Sequence, residues 1–92
     1  MAHVTLTSHL FAFFPHLQGK DLVVDAETVA GVVQGLEEMA PGFAFYICDE
    51  RGRLRRHVNI FLGKQRISDA RTLSDPVDAD SRVFIMQALS GG

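Results

Sequence analysis

One apolar stripe constrains this chain more than any other feature. Val29, Val32, Val33, Leu36 and Ala40 recur at i, i+3, i+4, i+7 and i+11. That spacing puts them on one face of an α-helix. Thr28 precedes the stripe as an N-cap, and Asp25 and Glu27 sit where the positive end of the helix dipole favours acids. Pro41-Gly42 stops the helix. Glu37 and Glu38 lie mostly off the stripe, so the helix has one face to bury and one to leave in water. A lone helix cannot cover such a face, and the flanking sequence supplies a sheet to do so.

Period-two alternation marks the strands. In "HVTLTS", His3 to Ser8, Val4 and Leu6 face one way and His3, Thr5 and Thr7 the other. "KDLVVDA" is a second short strand. After the helix, "FAFYIC", Phe43 to Cys48, sets Phe43, Phe45 and Ile47 on one side and reads as a third. "HVNIFL", His57 to Leu62, is the cleanest alternation, and Ser81 to Leu89 is the last strand. Gly63-Lys64 puts glycine first in a two-residue connection, as a type II′ turn requires. "HLFAFFPHLQG" crowds its apolar residues and is broken by Pro15 and Gly19, which reads as a compact loop with room for a helical turn. Gln65 to Asp80 is long and irregular; Ile67, Leu73 and Val77 tack it to the core, and Pro76 keeps it out of the sheet. The order is strand, strand, helix, strand, strand, strand. The fold class is α+β, a mixed sheet with one main helix packed on one face. A right-handed crossover is expected wherever linked strands are parallel.

With 92 residues the chain makes one domain, residues 1–92. A domain this size buries about 60–65% of its unfolded surface, so it folds alone with little margin. The formal charge is −2, which gives no reason to expect nucleic acid. Its distribution is uneven. Asp21 to Glu50 holds seven acids and no Lys or Arg, whereas Arg51 to Arg71 holds seven bases and one acid, Asp69. Cys48 is alone, so no internal disulfide or Cys-based metal set is expected, and a small core residue is the simple reading. His3, His9, His16 and His57 contain no i, i+4 pair, so no metal site is expected. The first residues lack a basic n-region and an apolar run long enough for a signal or a membrane span. The cytoplasm is the default expectation.

The element order, the helix "TVAGVVQGLEEMAPGF", the stretch "DERGRLRRHVNIFLGKQRI" and the ending "DADSRVFIMQALSGG" together resemble the MoaD/ThiS family. The resemblance covers most of the chain from Thr28 onward. Members are ubiquitin-like β-grasp proteins that carry sulfur on a C-terminal glycine. The resemblance implies that an E1-like enzyme uses ATP and Mg²⁺ to adenylate the Gly92 carboxylate, the chain itself binding no cofactor. A sulfur donor, a persulfide or sulfide source, would convert the adenylate to a thiocarboxylate. A downstream enzyme would accept the sulfur into a cofactor or metabolite. The chain itself is expected to be a carrier, not an enzyme. The long segment between the helix and "HVNIFL" is nearer the molybdopterin synthase small subunit and the larger carriers than the compact thiamine type. The alternative within the same chemistry is a ubiquitin-like modifier joined through Gly92 to target lysines.

The tail agrees with either use. Residues 88–92 read as a flexible thread ending in Gly91-Gly92, and without Cβ atoms it is thin and adaptable. Ordering it costs about 1–2 kcal/mol per residue, which contacts elsewhere must offset. Leu89 and Ser90 belong to the partner-facing tail. Alternation supplies the rest of the candidate surface. If Val83 and Ile85 face the helix, Phe84 and Met86 face away, as does Phe61. Large apolar side chains gathered on an outer sheet face mark a docking patch. Arg51, Arg53, Arg55 and Arg56 cluster on a hairpin; they read either as a solvated turn or as an electrostatic dock for an acidic partner.

Overall fold

The computed structural model describes residues 1–19 and 21–87. Five strands form one mixed sheet: β1 (Ala2–Leu6), β2 (Leu22–Val24), β3 (Val58–Leu62), β4 (Gln65–Arg66) and β5 (Arg82–Gln87). Their spatial order is β2-β1-β5-β3-β4. β5 is central, parallel to β1 and antiparallel to β3. The inward set includes Val4, Leu6, Leu22, Val24, Val58, Ile60, Val83 and Ile85, all buried in one hydrophobic core. The alternation in the sequence therefore assigns the two sheet faces correctly.

The stripe forms helix α2 (Val29–Met39). The Gly31 N–H donates to Thr28 Oγ1 at 3.1 Å, satisfying a first-turn donor that the helix leaves open. Val29, Val32, Val33, Leu36 and Ala40 are all buried. Gly35 lets α2 approach the sheet: a Cβ there would stand 2.3 Å from Val24 Cγ1. Val24 is itself buried and stiff at χ1. Gly35→Ala gains about 1 kcal/mol of helix propensity but meets an overpacking cost of about 1–3 kcal/mol. The substitution is expected to lower stability by about 1 kcal/mol, read as a lower urea midpoint. A higher midpoint would show that Val24 yields.

Three segments differ from the sequence expectation. The "HLFAFF" region is not merely a loop. It forms helix α1 (Ser8–Phe13) followed by a 3-10 turn, Pro15–Leu17, with Leu10, Phe14 and Leu17 buried. "FAFYIC" is not a strand but helix α3 (Phe43–Ile47). Phe43 and Ile47, four residues apart, are fully buried, while Phe45 is 56% exposed. Glu37 explains the choice. Its carboxylate accepts from the Gly42 N–H at 3.0 Å and the Ala44 N–H at 2.9 Å, capping α3 from the end of α2. Those two N–H groups hold the Glu37 carboxyl below its ordinary range. Gly42 turns the chain at φ +100°, a conformation open mainly to glycine. The fifth strand is instead β4, entered through Gly63 at φ +62°.

The segment between β4 and β5 lies on the helix side of the sheet. The Ala30 N–H donates to the Leu73 carbonyl at 2.8 Å, and the Val77 N–H to the Glu27 carbonyl at 2.9 Å. Ile67, Leu73 and Val77 are its buried anchors. Asp69 knots the turn by accepting from the hydroxyls of Ser74 and Thr72 and from the Thr72 and Arg71 N–H groups. The two hydroxyls, Ser74 first, hold its carboxyl far below the usual carboxylate range.

Candidate functional site

The outer sheet face is free of the long segment, so its apolar side chains meet solvent. Phe61 and Phe84 are direct cross-strand partners in the β3–β5 ladder, and Met86 stands opposite Asn59. Directly opposed side chains have Cβ atoms about 5 Å apart, so Phe61 and Phe84 leave the sheet side by side. Phe61 and Phe84 are half-buried and Met86 is exposed. Polar groups border them: Thr5 opposite Phe84 on β1, and Arg66 opposite Phe61 on β4, with its guanidinium donating to Asn59. The structure thus brings Phe61, Phe84 and Met86 together on one face.

Leu89, Ser90, Gly91 and Gly92 lie outside the described residues, but the root of that segment is well placed. Gln87 ends the central strand. Its N–H donates to Thr7 Oγ1 at 3.3 Å, and its side-chain Oε1 accepts from the Tyr46 hydroxyl at 3.1 Å. Tyr46 is fixed in turn by aromatic contacts, with ring centroids 4.8 Å from Phe13 and 5.6 Å from Phe14. Helices α1 and α3 therefore brace the last described residue of β5. Sequence reading missed Tyr46 because it placed this residue on a strand; an i, i+4 reading of Phe43 and Ile47 would have found the helix.

The arginine run divides. Cys48 and Leu54 form an antiparallel bridge that closes the turn between them. Asp49 accepts from the Arg51 N–H at 2.9 Å and the Arg53 N–H at 3.0 Å, and its carboxylate pairs with Arg53 Nε at 3.3 Å. Burial alone would raise the Asp49 carboxyl, but the two N–H donors and the Arg53 charge outweigh it and leave it lowered. Arg55 donates through Nε and Nη2 to the Phe45 carbonyl at 3.1 and 2.9 Å. Its guanidinium carbon lies 5.1 Å from the Phe45 ring centroid, within cation–π range. Arg56 is exposed. Arg53, Arg55 and Arg56 line one concavity, while Arg51 lines another, between α2, α3 and the Leu73 turn.

Cys48 is buried, and that burial, followed by the Asp49 charge, pushes its thiol up. Burial of this kind keeps a thiol protonated and suits Cys48 to packing. Among the described residues, no three His, Cys, Asp or Glu side chains gather as a metal site, and no helix is long and apolar enough to cross a membrane.

No protein-family model matches the chain, and no curated protein sequence matches it. Solved structures do. A chain of the Amycolatopsis orientalis BexX/CysO complex superposes with TM-score 0.82 at 19% identity, covering 100% of both chains. Mycobacterium tuberculosis CysO superposes with TM-score 0.81 at 23% identity, over 97% of this chain and 100% of that one. Small archaeal modifier protein 1 (SAMP1) from Methanosarcina acetivorans gives TM-score 0.77 at 20% identity, over 99% and 95%. The chain has the ubiquitin-like β-grasp fold of these proteins, the fold that its resemblance to the MoaD/ThiS family implies.

Proposed function

We propose that the chain is a sulfur carrier that works through the carboxylate of Gly92. The observation that carries this reading is the position of β5. It is the central strand of a β-grasp sheet, braced at Gln87, and the sequence beyond it runs straight to Gly91-Gly92. In the proposed chemistry a Gly92 carboxylate oxygen attacks the α-phosphorus of ATP, pyrophosphate leaves, and an acyl adenylate forms. Sulfide-level sulfur from a donor then displaces AMP and leaves a thiocarboxylate. ATP and Mg²⁺ belong to the E1-like partner, and a downstream enzyme accepts the sulfur, as the catalytic partner of a molybdopterin synthase small subunit would. The carrier contributes no catalytic side chain. The five residues 88–92 span at most about 18 Å, so the sheet stays outside the partner's active site while the carboxyl enters it.

The Phe61, Phe84 and Met86 face supplies the dock. Phe84→Asp places a charge where an apolar contact is needed and is expected to weaken binding to the activating enzyme about a hundredfold, the scale of a central aromatic contact. Because Phe84 points away from the core, the strand pays only a β-propensity penalty of about 1 kcal/mol. Titration calorimetry and a thermal melt separate the two effects; loss of the cooperative melt would count against an outward docking role.

A second reading is favoured by the likeness to small archaeal modifier protein 1. There the same adenylate would be captured by a lysine amine on a target. Intact mass after incubation with ATP, an activating enzyme from the same organism and a sulfide source decides between them. Gain of one sulfur for one oxygen supports the carrier, and high-mass conjugates support the modifier. No change in a system that thiolates another carrier refutes both.

A further inference from the structure

The structure builds a basic concavity that the arginine run alone does not define. It measures about 570 Å³ and is lined by Arg53, Arg55, Arg56, His57 and Arg71, with Asp49 as the acid among its lining residues. Arg71 joins from fifteen residues further along the chain than Arg56, carried there by the Leu54 N–H, which donates to the Ala70 carbonyl at 2.8 Å. Asp49 compensates Arg53, with which it pairs, and also accepts from two backbone N–H groups; among the described residues it makes no bond to Arg56 or Arg71. The nearby Asp69 is likewise turned inward onto Thr72 and Ser74. Arg56 and Arg71 are exposed and donate no side-chain hydrogen bond among the described residues. Their charge is therefore available to a partner.

The location gives this charge a use. Arg56 and His57 immediately precede β3, whose first residue, Val58, pairs with Gln87. The concavity thus flanks the root of the tail. From the carrier reading, on which this rests, we infer that Arg56 and Arg71 dock a carboxylate-rich segment at the mouth of the cleft that receives the tail. They contact the rim and not the reacting atoms, because the five residues after Gln87 can span up to about 18 Å. Protein carboxylates fit better than nucleic acid. No Phe, Tyr or Trp is among the residues lining the concavity, and one face of the nearby Phe45 ring is taken by the Arg55 guanidinium, so the concavity lacks the row of aromatic platforms on which bases stack.

Opposite charge at the mouth of a cleft acts mainly on encounter rate and its salt dependence. The test is stopped-flow association of the full chain with an E1-type activating enzyme from the same organism, across a salt series. The double variant Arg56→Ala/Arg71→Ala keeps the Asp49 and Phe45 contacts and so keeps the fold, which its thermal melt confirms. We expect its association rate at low salt to fall about tenfold, with a shallower salt slope, and its maximal thiocarboxylation rate to stay unchanged. Equal association rates and equal salt slopes for the two proteins overturn the inference while leaving the carrier reading intact. A lower maximal rate with unchanged association overturns it as well, because that assigns the arginines to the reaction. A labelled single-stranded oligonucleotide that binds the wild type at physiological salt and not the variant assigns the concavity to nucleic acid instead. Failure of the unaltered chain to be activated at all sinks the carrier reading and this inference together.

Discussion

Deletion of Gly92 is expected to abolish thiocarboxylation while leaving the thermal melt unchanged. The deletion keeps a glycine carboxylate, now on Gly91, so the chemistry of the reacting group is the same. What changes is reach, by about 3.3–3.6 Å for one extended residue. A misplacement of even about 1 Å can cost a hundredfold in a positioned reaction. A full residue therefore takes the carboxylate out of attacking distance from the α-phosphorus of ATP. The described part of β5 ends at Gln87, whose contacts to Thr7 and Tyr46 lie upstream of the deletion. Stability and docking should then be retained, and the truncated chain should compete with the intact one for the activating enzyme. Intact mass, a melt and a competition assay read the three outcomes. Sulfur gained by the truncated chain would refute the role of Gly92, whatever else the protein does.

The main helix was fully legible because its signals are local: a cap, a 3.6-residue period and a Pro-Gly stop all fall within fifteen residues of sequence. The inward and outward faces of β1, β3 and β5 were legible for the same reason, since alternation in a half-buried strand needs only its own residues. Helix α3 was not. Phe43, Phe45 and Ile47 satisfy a period of two, and Phe43 with Ile47 equally satisfies i, i+4. The deciding contact is the Glu37 carboxylate, which reaches back from α2 to the first N–H groups of α3. The strand count stayed at five only because Gln65–Arg66, expected to be irregular, forms β4. The arginines were legible as a run but not as a surface. Tertiary contacts decide that Arg51 lines one concavity, Arg56 another, and Arg71 both. The apolar patch was legible in direction, and the structure adds that the long loop crosses the helix side and leaves the patch open.

Phe43→Ala is the substitution expected to cost the fold most. Phe43 is fully buried, and its ring centroid lies 5.2 Å from that of Phe14. Removing a buried phenyl ring costs about 3–5 kcal/mol, from lost transfer energy and the cavity left behind. A domain of this length has about 5–14 kcal/mol of stability in total. The variant should therefore sit near the edge of its unfolding transition, with a much lower urea midpoint. The damage should also concentrate near α3. A five-residue helix has no stability of its own, so it persists only while Phe43 and Ile47 hold it to the core. The same helix carries Tyr46 to Gln87 and Phe45 to Arg55. Loss of Phe43 should loosen the root of the tail and one wall of the basic concavity together. Native-state hydrogen exchange in the Phe43→Ala variant should show the N–H groups of Tyr46 and Cys48, which bond the carbonyls of Gly42 and Ala44, losing protection before those in β1 and β5. Uniform loss across the sheet would mean that α3 belongs to the global unfolding unit. Its bracing of the tail would then be inseparable from the stability of the whole fold.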